Sequence, residues 1–308
     1  MTRNAYILRK LVSLPFVMLF ASVLIFVAMR ALPGDPARLI AGPGATQQAV
    51  QSLHARLGLD RPMMAQYVGF LRDAVHGDLG NSIAFKEPVT TTIATRLPNT
   101  LLLALVSYTA AILLGVPTGM IAAIYRGRWP DRVIGMITIL SASVANFWLA
   151  LVMMEIFAVQ LHWLPLLGAG GASHLVLPAI TLALLPTALI SRMTRIGMIE
   201  VLSQDYIRTA RAKGLGSFPV YCRHALRNAL LPIVTIVGLN FGSVVGGTVV
   251  TETVFDWPGT GRLLVEAVRY RDYPVMQAVT LLAVLSVILV NLAAELVITM
   301  LDPRVSPN

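Results

Sequence analysis

Six stretches of this chain contain no Asp, Glu, Lys or Arg and are strongly apolar: residues 11–29, 100–125, 133–154, 175–191, 229–251 and 275–294. A helix rises about 1.5 Å per residue, so about 20 apolar residues cover the hydrocarbon core of a bilayer. The pattern predicts an all-α membrane protein with six transmembrane helices. The fourth stretch is short, at 17 residues, and contains Pro178 and Pro186. A helix buried among others tolerates that, because its neighbours satisfy the freed carbonyls. The first stretch follows Arg3, Arg9 and Lys10, as a secretory signal would. Its apolar run exceeds the roughly 7–15 residues of a cleavable segment and no small-residue cleavage site closes it, so it reads as a retained span.

Composition agrees with a lipid-facing surface. Charged residues make up 13% of the chain and hydrophobic ones 56%, with a mean hydropathy of +0.74, where a soluble domain carries about a quarter charged residues. The net charge of +9 has an explanation in loop placement. With few aromatics and no nucleic-acid signature, a nucleic-acid partner is excluded. The single cysteine, Cys222, rules out an intrachain disulfide framework and a cysteine zinc cluster, and reads as a small apolar filler.

Lys and Arg concentrate on one side of the predicted membrane. They fall in the N-terminal segment, in the second loop (Arg126, Arg128, Arg132) and in the fourth loop (Arg192, Arg195, Arg208, Arg211, Lys213, Arg223, Arg227). The third loop, 155–174, has none, and the fifth balances its arginines with Glu252, Asp256, Glu266 and Asp272. Both termini are therefore expected in the cytoplasm. The whole chain, 1–308, reads as a single membrane domain: an external loop at 30–99, a core at 100–300 and a cytoplasmic loop at 192–228. The external loop opens on a Leu32-Pro33-Gly34-Asp35-Pro36 turn. Two short amphipathic helices are expected at 45–57 and 61–75, followed by a Gly77–Ser82 turn.

The fourth loop is too long for a connector. From Ser203 it reads SQDYIRTARAKGLGSFPVYCRHALRNALLP. Ser203 and Asp205 offer helix-start acceptors, 207–213 continues as a short basic helix, and Gly214 and Gly216 end it. A second helix starts near Phe218 and leads into the fifth span. A short helix lying on the cytoplasmic face suits docking into a groove of a soluble partner.

This loop resembles the EAA loop of bacterial ABC importer permeases. Aligned on Gly214, the Glu-Ala-Ala positions fall on Arg208, Thr209 and Ala210, so the glutamate is absent. The Ile-x-Leu-Pro ending becomes His224-Ala225-Leu226-Arg227, with the proline displaced to Pro232. Those departures match the dipeptide, oligopeptide and nickel permease branch, as do Leu32–Pro36 and TETVFDWPGTGRLLVEAVRYRDYPV at 251–275. The resemblance extends over essentially the whole chain. It implies the MetI-like, type I ABC importer permease fold in the bacterial inner membrane. The implied partners are a homologous second permease, two ATPase subunits and an extracytoplasmic solute-binding protein. ATP and Mg²⁺ would be bound by the ATPases, leaving this chain without a cofactor and without catalysis of its own. The chain itself has no G-x-x-x-x-G-K-[ST] phosphate loop. The implied ATPase-coupling residues are Asp205, Tyr206, Arg208, Thr209, Ala210, Arg211, Ala212, Lys213, Gly214, His224, Arg227 and Asn228.

A translocation path needs polar and small side chains inside spans. Ser141, Ser143, Asn146, Phe147 and Trp148 in the third stretch, and Asn240 and Ser243 in the fifth, supply that mixture, although interhelical hydrogen bonding accounts for the same residues. Gly238, Gly242, Gly246 and Gly247 suit close helix packing or a gate. Trp163 and Trp257 are expected at the outer interface, as anchors or as contacts for a delivery protein. Glu155 and Glu295 sit at span ends, where they reach water. Histidines are scattered without metal spacing and no nucleophile–base set is evident, which argues against an intramembrane enzyme. An ion-driven transporter would show inverted repeats or intramembrane carboxylates, and neither is apparent. The expected solute is a di- or oligopeptide, with glutathione, a nickel chelate or an opine as alternatives.

Overall fold

The computed structural model of the chain describes residues 3–31, 36–42, 44–56, 58–229, 234 and 247–301. Among these residues helices joined by turns and loops make up the structure, and the one β feature is an isolated antiparallel bridge, Asn81 with Pro88. Four helices are α1 (Arg3–Ala31), α5 (Val89–Ile124), α8 (Ala172–Leu202) and α12 (Tyr273–Leu301), each with an apolar segment long enough to cross a membrane. They correspond to the first, second, fourth and sixth apolar stretches. Most of the fifth stretch, 229–251, lies outside the described residues, as do Gly238, Asn240, Gly242, Ser243, Gly246 and the turn residues 32–35.

All four helices overrun their apolar stretches, α5 and α8 by the most at one end. The second span begins as helix at Val89, well before residue 100, and α8 continues past Ser191 to Leu202. Apolar character marks what lies in lipid, whereas the backbone ladder continues wherever each N–H still finds its carbonyl. The third stretch shows the opposite effect. It is divided into α6 (Trp129–Ser143) and α7 (Asn146–Met153), and the α6 axis is bent by 106° from the following Asn146–Gln160 segment. The cause is two extended residues, Val144 with ψ 129° and Ala145 with ψ 132°, which interrupt the ladder without a proline or glycine. A π-helical turn, Met154–Gln160, then carries the chain on.

The chain divides into two compact units, one built mainly on Leu101–Trp257, the other on Leu8–Thr100 and Pro258–Ser286. In the first, α5 and α8 approach closely at two glycines one turn apart. A Cβ on Gly115 would sit 2.9 Å from the Ile190 side chain, and one on Gly119 would overlap the Ser191 carbonyl. Small residues at four-residue spacing permit such backbone contact. Trp257 is a correction to the interfacial reading. Its ring is 4% exposed among Leu103, Tyr108, Ala179 and Leu182, drawn in where its backbone N–H donates to the Glu252 carbonyl. Trp163 is exposed.

The second unit contains the external segment. Its helices are α2 (Pro36–Ala41), α3 (Gln47–Arg56) and α4 (Met63–Val75), the last two close to the predicted 45–57 and 61–75. The α4 helix is held against α1: Tyr67 shares a hydrogen bond with Ser22, Arg30 donates to Gln66, and the Arg30 guanidinium lies 3.4 Å from the Phe26 ring centre. After α4 the chain turns at Gly77 and Gly80, both with φ near +80°. Asp272, fully buried, ties this segment to the start of α12. It accepts hydrogen bonds from the Ser82 hydroxyl and, at 3.0 Å, from the Ala84 backbone N–H. An amphipathic helix, α11 (Thr260–Tyr270), ends at Arg271 in the left-handed region and packs Leu263 and Ala267 against Val89, Ile93, Val275 and Val279.

Candidate coupling surface and path residues

The cytoplasmic-loop motif folds as α9 (Asp205–Ala212), a short helix with a divided surface. Ile207 and Ala210 point inward, joining Ala123, Met198, Val220, Ala225 and Ala229 in one apolar cluster. Their three-residue spacing puts both on one face of the helix. The remaining positions, Asp205, Tyr206, Arg208, Thr209, Arg211 and Ala212, face outward, followed by exposed Lys213 and Gly214. Asp205 stands in the first turn and Arg211 in the last, each favoured by the helix dipole there. Gly214 closes the helix with φ +81°, its N–H donating to the Arg211 carbonyl. Left-handed backbone of this kind is cheap only without a Cβ.

Beyond Gly214 the chain forms α10 (Ser217–Pro219) and a π-helical segment, Val220–Leu226. Asn228 closes the arrangement by donating at 3.0 Å both to the Tyr206 hydroxyl and to the His224 carbonyl. Thus Tyr206, His224 and Asn228 are brought together, and Arg227 is exposed beside them. Arg208 reaches Asp205 at 3.5 Å, but both side chains are largely in solvent, where such a pair contributes little. The outward face is therefore basic and hydrogen-bonding, mounted on a rigid apolar seat. Exposed Leu215 and Phe218 add an apolar edge. Phe218 had signalled only a helix start in the sequence.

The path candidates gather at the break between α6 and α7. Ser141 is buried, while Ser143 is exposed and returns its hydroxyl to the Ile139 carbonyl. Asn146 is half-buried at the first position of α7, and Phe147 and Trp148 are each 53% exposed. Among the described residues no group of His, Cys, Asp and Glu is arranged to hold a metal ion.

One pair escaped the sequence reading. Asp131 in the first turn of α6 makes a two-point ion pair with Arg195 of α8, the second bond at 2.8 Å, and also accepts the Gly127 backbone N–H at 2.9 Å. Both residues lie outside the apolar stretches, which begin at Val133 and end at Ser191. The hydrogen bonds from Arg195 hold the Asp131 carboxyl below its ordinary range, against the opposing effect of burial. Loop charge counting had treated Arg195 only as one more positive residue.

Two family models cover this chain. Residues 115–307 match the binding-protein-dependent transport system inner membrane component, and residues 1–104 match the N-terminal model of such membrane components. The chain is 44% identical over 300 residues to the glutathione transport system permease protein GsiC of Escherichia coli O6:H1 strain CFT073, covering 97% of this chain and 98% of that one. Against GsiC of strain K12 the identity is 43% with the same coverage. Among solved structures, an inward-facing MetNI methionine ABC transporter superposes with a TM-score of 0.58 at 21% identity, over 68% of this chain and 96% of that chain. An amino acid ABC transporter solved with histidines gives 0.51 at 14% identity, over 70% and 95% respectively. At such identities the structures speak for the fold, and that fold is the type I permease fold. With family model, full-length relatives and fold in agreement, the chain belongs to the binding-protein-dependent transport inner membrane components, as a multi-pass permease subunit of an ABC importer rather than an enzyme.

Proposed function

We propose that this subunit forms half of the pathway of an importer for short peptides, and that glutathione, itself a tripeptide, is the first solute to test. A second permease completes the pathway, a solute-binding protein delivers the cargo outside, and two ATPases bind ATP and Mg²⁺ at the cytoplasmic face. Both chain termini lie in the cytoplasm with α9. The observation that carries this reading is the mounting of α9. Its basic face is exposed while Ile207 and Ala210 seat it on the same apolar cluster as Met198 of α8. A partner that pushes on Arg208, Thr209, Arg211 or Lys213 therefore moves a span, not a loose loop. Ala210 serves as seat and Ala212 and Gly214 keep the surface close enough for a groove, while Asp205, Tyr206, His224, Arg227 and Asn228 frame it.

The substrate part of the proposal draws on the relatives named for glutathione transport over nearly the full length. Passage of a zwitterionic, flexible solute suits Ser141, Ser143, Asn146, Phe147 and Trp148 at the helix break, and Asn240 and Ser243 of the fifth stretch. The test is uptake and ATP hydrolysis in proteoliposomes containing the full complex and its binding protein. Glutathione or short peptides should stimulate both; uptake of a nickel chelate with indifference to every peptide would reject the substrate class. In the same vesicles Gly214→Trp, which meets a left-handed dihedral penalty of about 1 kcal/mol and obstructs the groove, should stop uptake and abolish the response of ATP hydrolysis to loaded binding protein. Normal uptake by that variant would make the loop an ordinary connector.

A further inference from the structure

A cavity of about 420 Å³ opens between α6 and α8 at the end of the span nearest the Arg126–Arg132 loop, lined by Asp131, Arg132, Arg192 and Arg195 with Ile134 and Ile139. Its charge does not balance. Arg195 is spent on Asp131, whereas Arg132 and Arg192 are exposed and, among the described residues, neither guanidinium has a hydrogen-bond or ion-pair partner. Two like charges brought to one concave site repel each other unless an anion joins them, and guanidinium forks match phosphate oxygens better than a point charge would.

The surroundings say what carries the anion. From the cavity, the outer face of α6 continues as Met136, Ile137, Ile139 and Leu140, all more than half exposed and all apolar. Trp129, 75% exposed, stands at the same end of α6, in the position that indole side chains favour at a membrane–water boundary. An interfacial indole and a basic pocket at one end of α6, with an apolar strip beyond them, match one phospholipid: headgroup at the boundary, acyl chain below it.

We propose that the Arg132–Arg192 cavity binds the phosphate of an anionic phospholipid headgroup, with the acyl chains lying along Met136, Ile137 and Leu140, short of the path candidates at the α6–α7 break. Its lining shares no residue with the apolar seat of α9, and the site does not depend on which solute is carried. Asp131 contributes by holding Arg195 in place, so that the headgroup meets the two free guanidiniums.

The test uses the full chain in nanodiscs of phosphatidylcholine alone or with phosphatidylglycerol, followed by native mass spectrometry. Wild-type protein is expected to retain phosphatidylglycerol at least tenfold more than Arg132→Gln/Arg192→Gln, and Arg132→Lys/Arg192→Lys to fall between them. Inorganic phosphate added to phosphatidylcholine discs should not substitute for the lipid. Equal retention by wild type and the double Gln variant overturns the proposal, and so does tight binding of free phosphate with no lipid retained. Should the double variant fail to fold, brominated phosphatidylglycerol titrated into discs must still quench the emission that wild type shows over Trp129→Phe, and more strongly than brominated phosphatidylcholine does. An unchanged signal then refutes the site.

Discussion

Asp131 and Arg195 show how one residue pair can join two helices that the sequence leaves unrelated. The carboxyl is depressed from its ordinary value near 3.8 by its hydrogen bonds to Arg195. A depressed folded-state value means the stabilisation is fully present above the unfolded value and is lost as pH falls through the folded one. Arg195→Met should therefore destabilise the chain by about 2 kcal/mol at pH 7, a figure kept low because the arginine is partly in solvent. The deficit should shrink as pH is lowered below the ordinary carboxylate range. Thermal unfolding in detergent across that range checks both parts; a deficit independent of pH would assign the loss to packing. The signal available in sequence was slight: Asp131 is the lone acid in a run of arginines, and only its meeting with α8 gives it a partner.

Helices α5 and α8 depend on Gly115 and Gly119 for their approach. Replacing Gly119 with valine sets a side chain against the Ser191 carbonyl and the Thr194 Cβ, and backbone cannot yield as a flexible side chain does. A cost of about 3 kcal/mol or loss of folded protein is expected, read as a lower unfolding temperature or an aggregated peak in size-exclusion chromatography. Gly135, whose added Cβ would meet nothing within 4 Å, should accept alanine at no more than the helix-propensity level. The same physics explains why α9 was legible and the α6–α7 break was not. A terminating glycine announces the short helix locally, although the Ser203 acceptor expected at its start instead turns back to the Glu200 carbonyl, but Val144 and Ala145 carry no breaking signal.

The topology of the entire chain rests on where its arginines lie relative to its apolar stretches. With Cys222 first replaced by serine, a cysteine at Ser217 should react with an impermeant thiol reagent only from the cytoplasm, and one at Ser173 only from outside. Both positions are exposed, so access reports sidedness and not burial. Labelling of both from one face would overturn the six-span arrangement.

Composition and the lengths of the apolar stretches settled that this is an all-α membrane protein, because lipid and water sort side chains by local chemistry and each apolar stretch reports its solvent without reference to any other. The basic loop helix and its glycine terminus were equally readable, since a left-handed glycine ends a helix by its own local backbone preference. Tertiary structure decided what depends on distant meetings: Asp272 with Ser82, Asp131 with Arg195, the burial of Trp257, and the bend of the third span. Such contacts join residues far apart in the chain, and a linear pattern holds no record of which polar group will find which partner once the spans have packed.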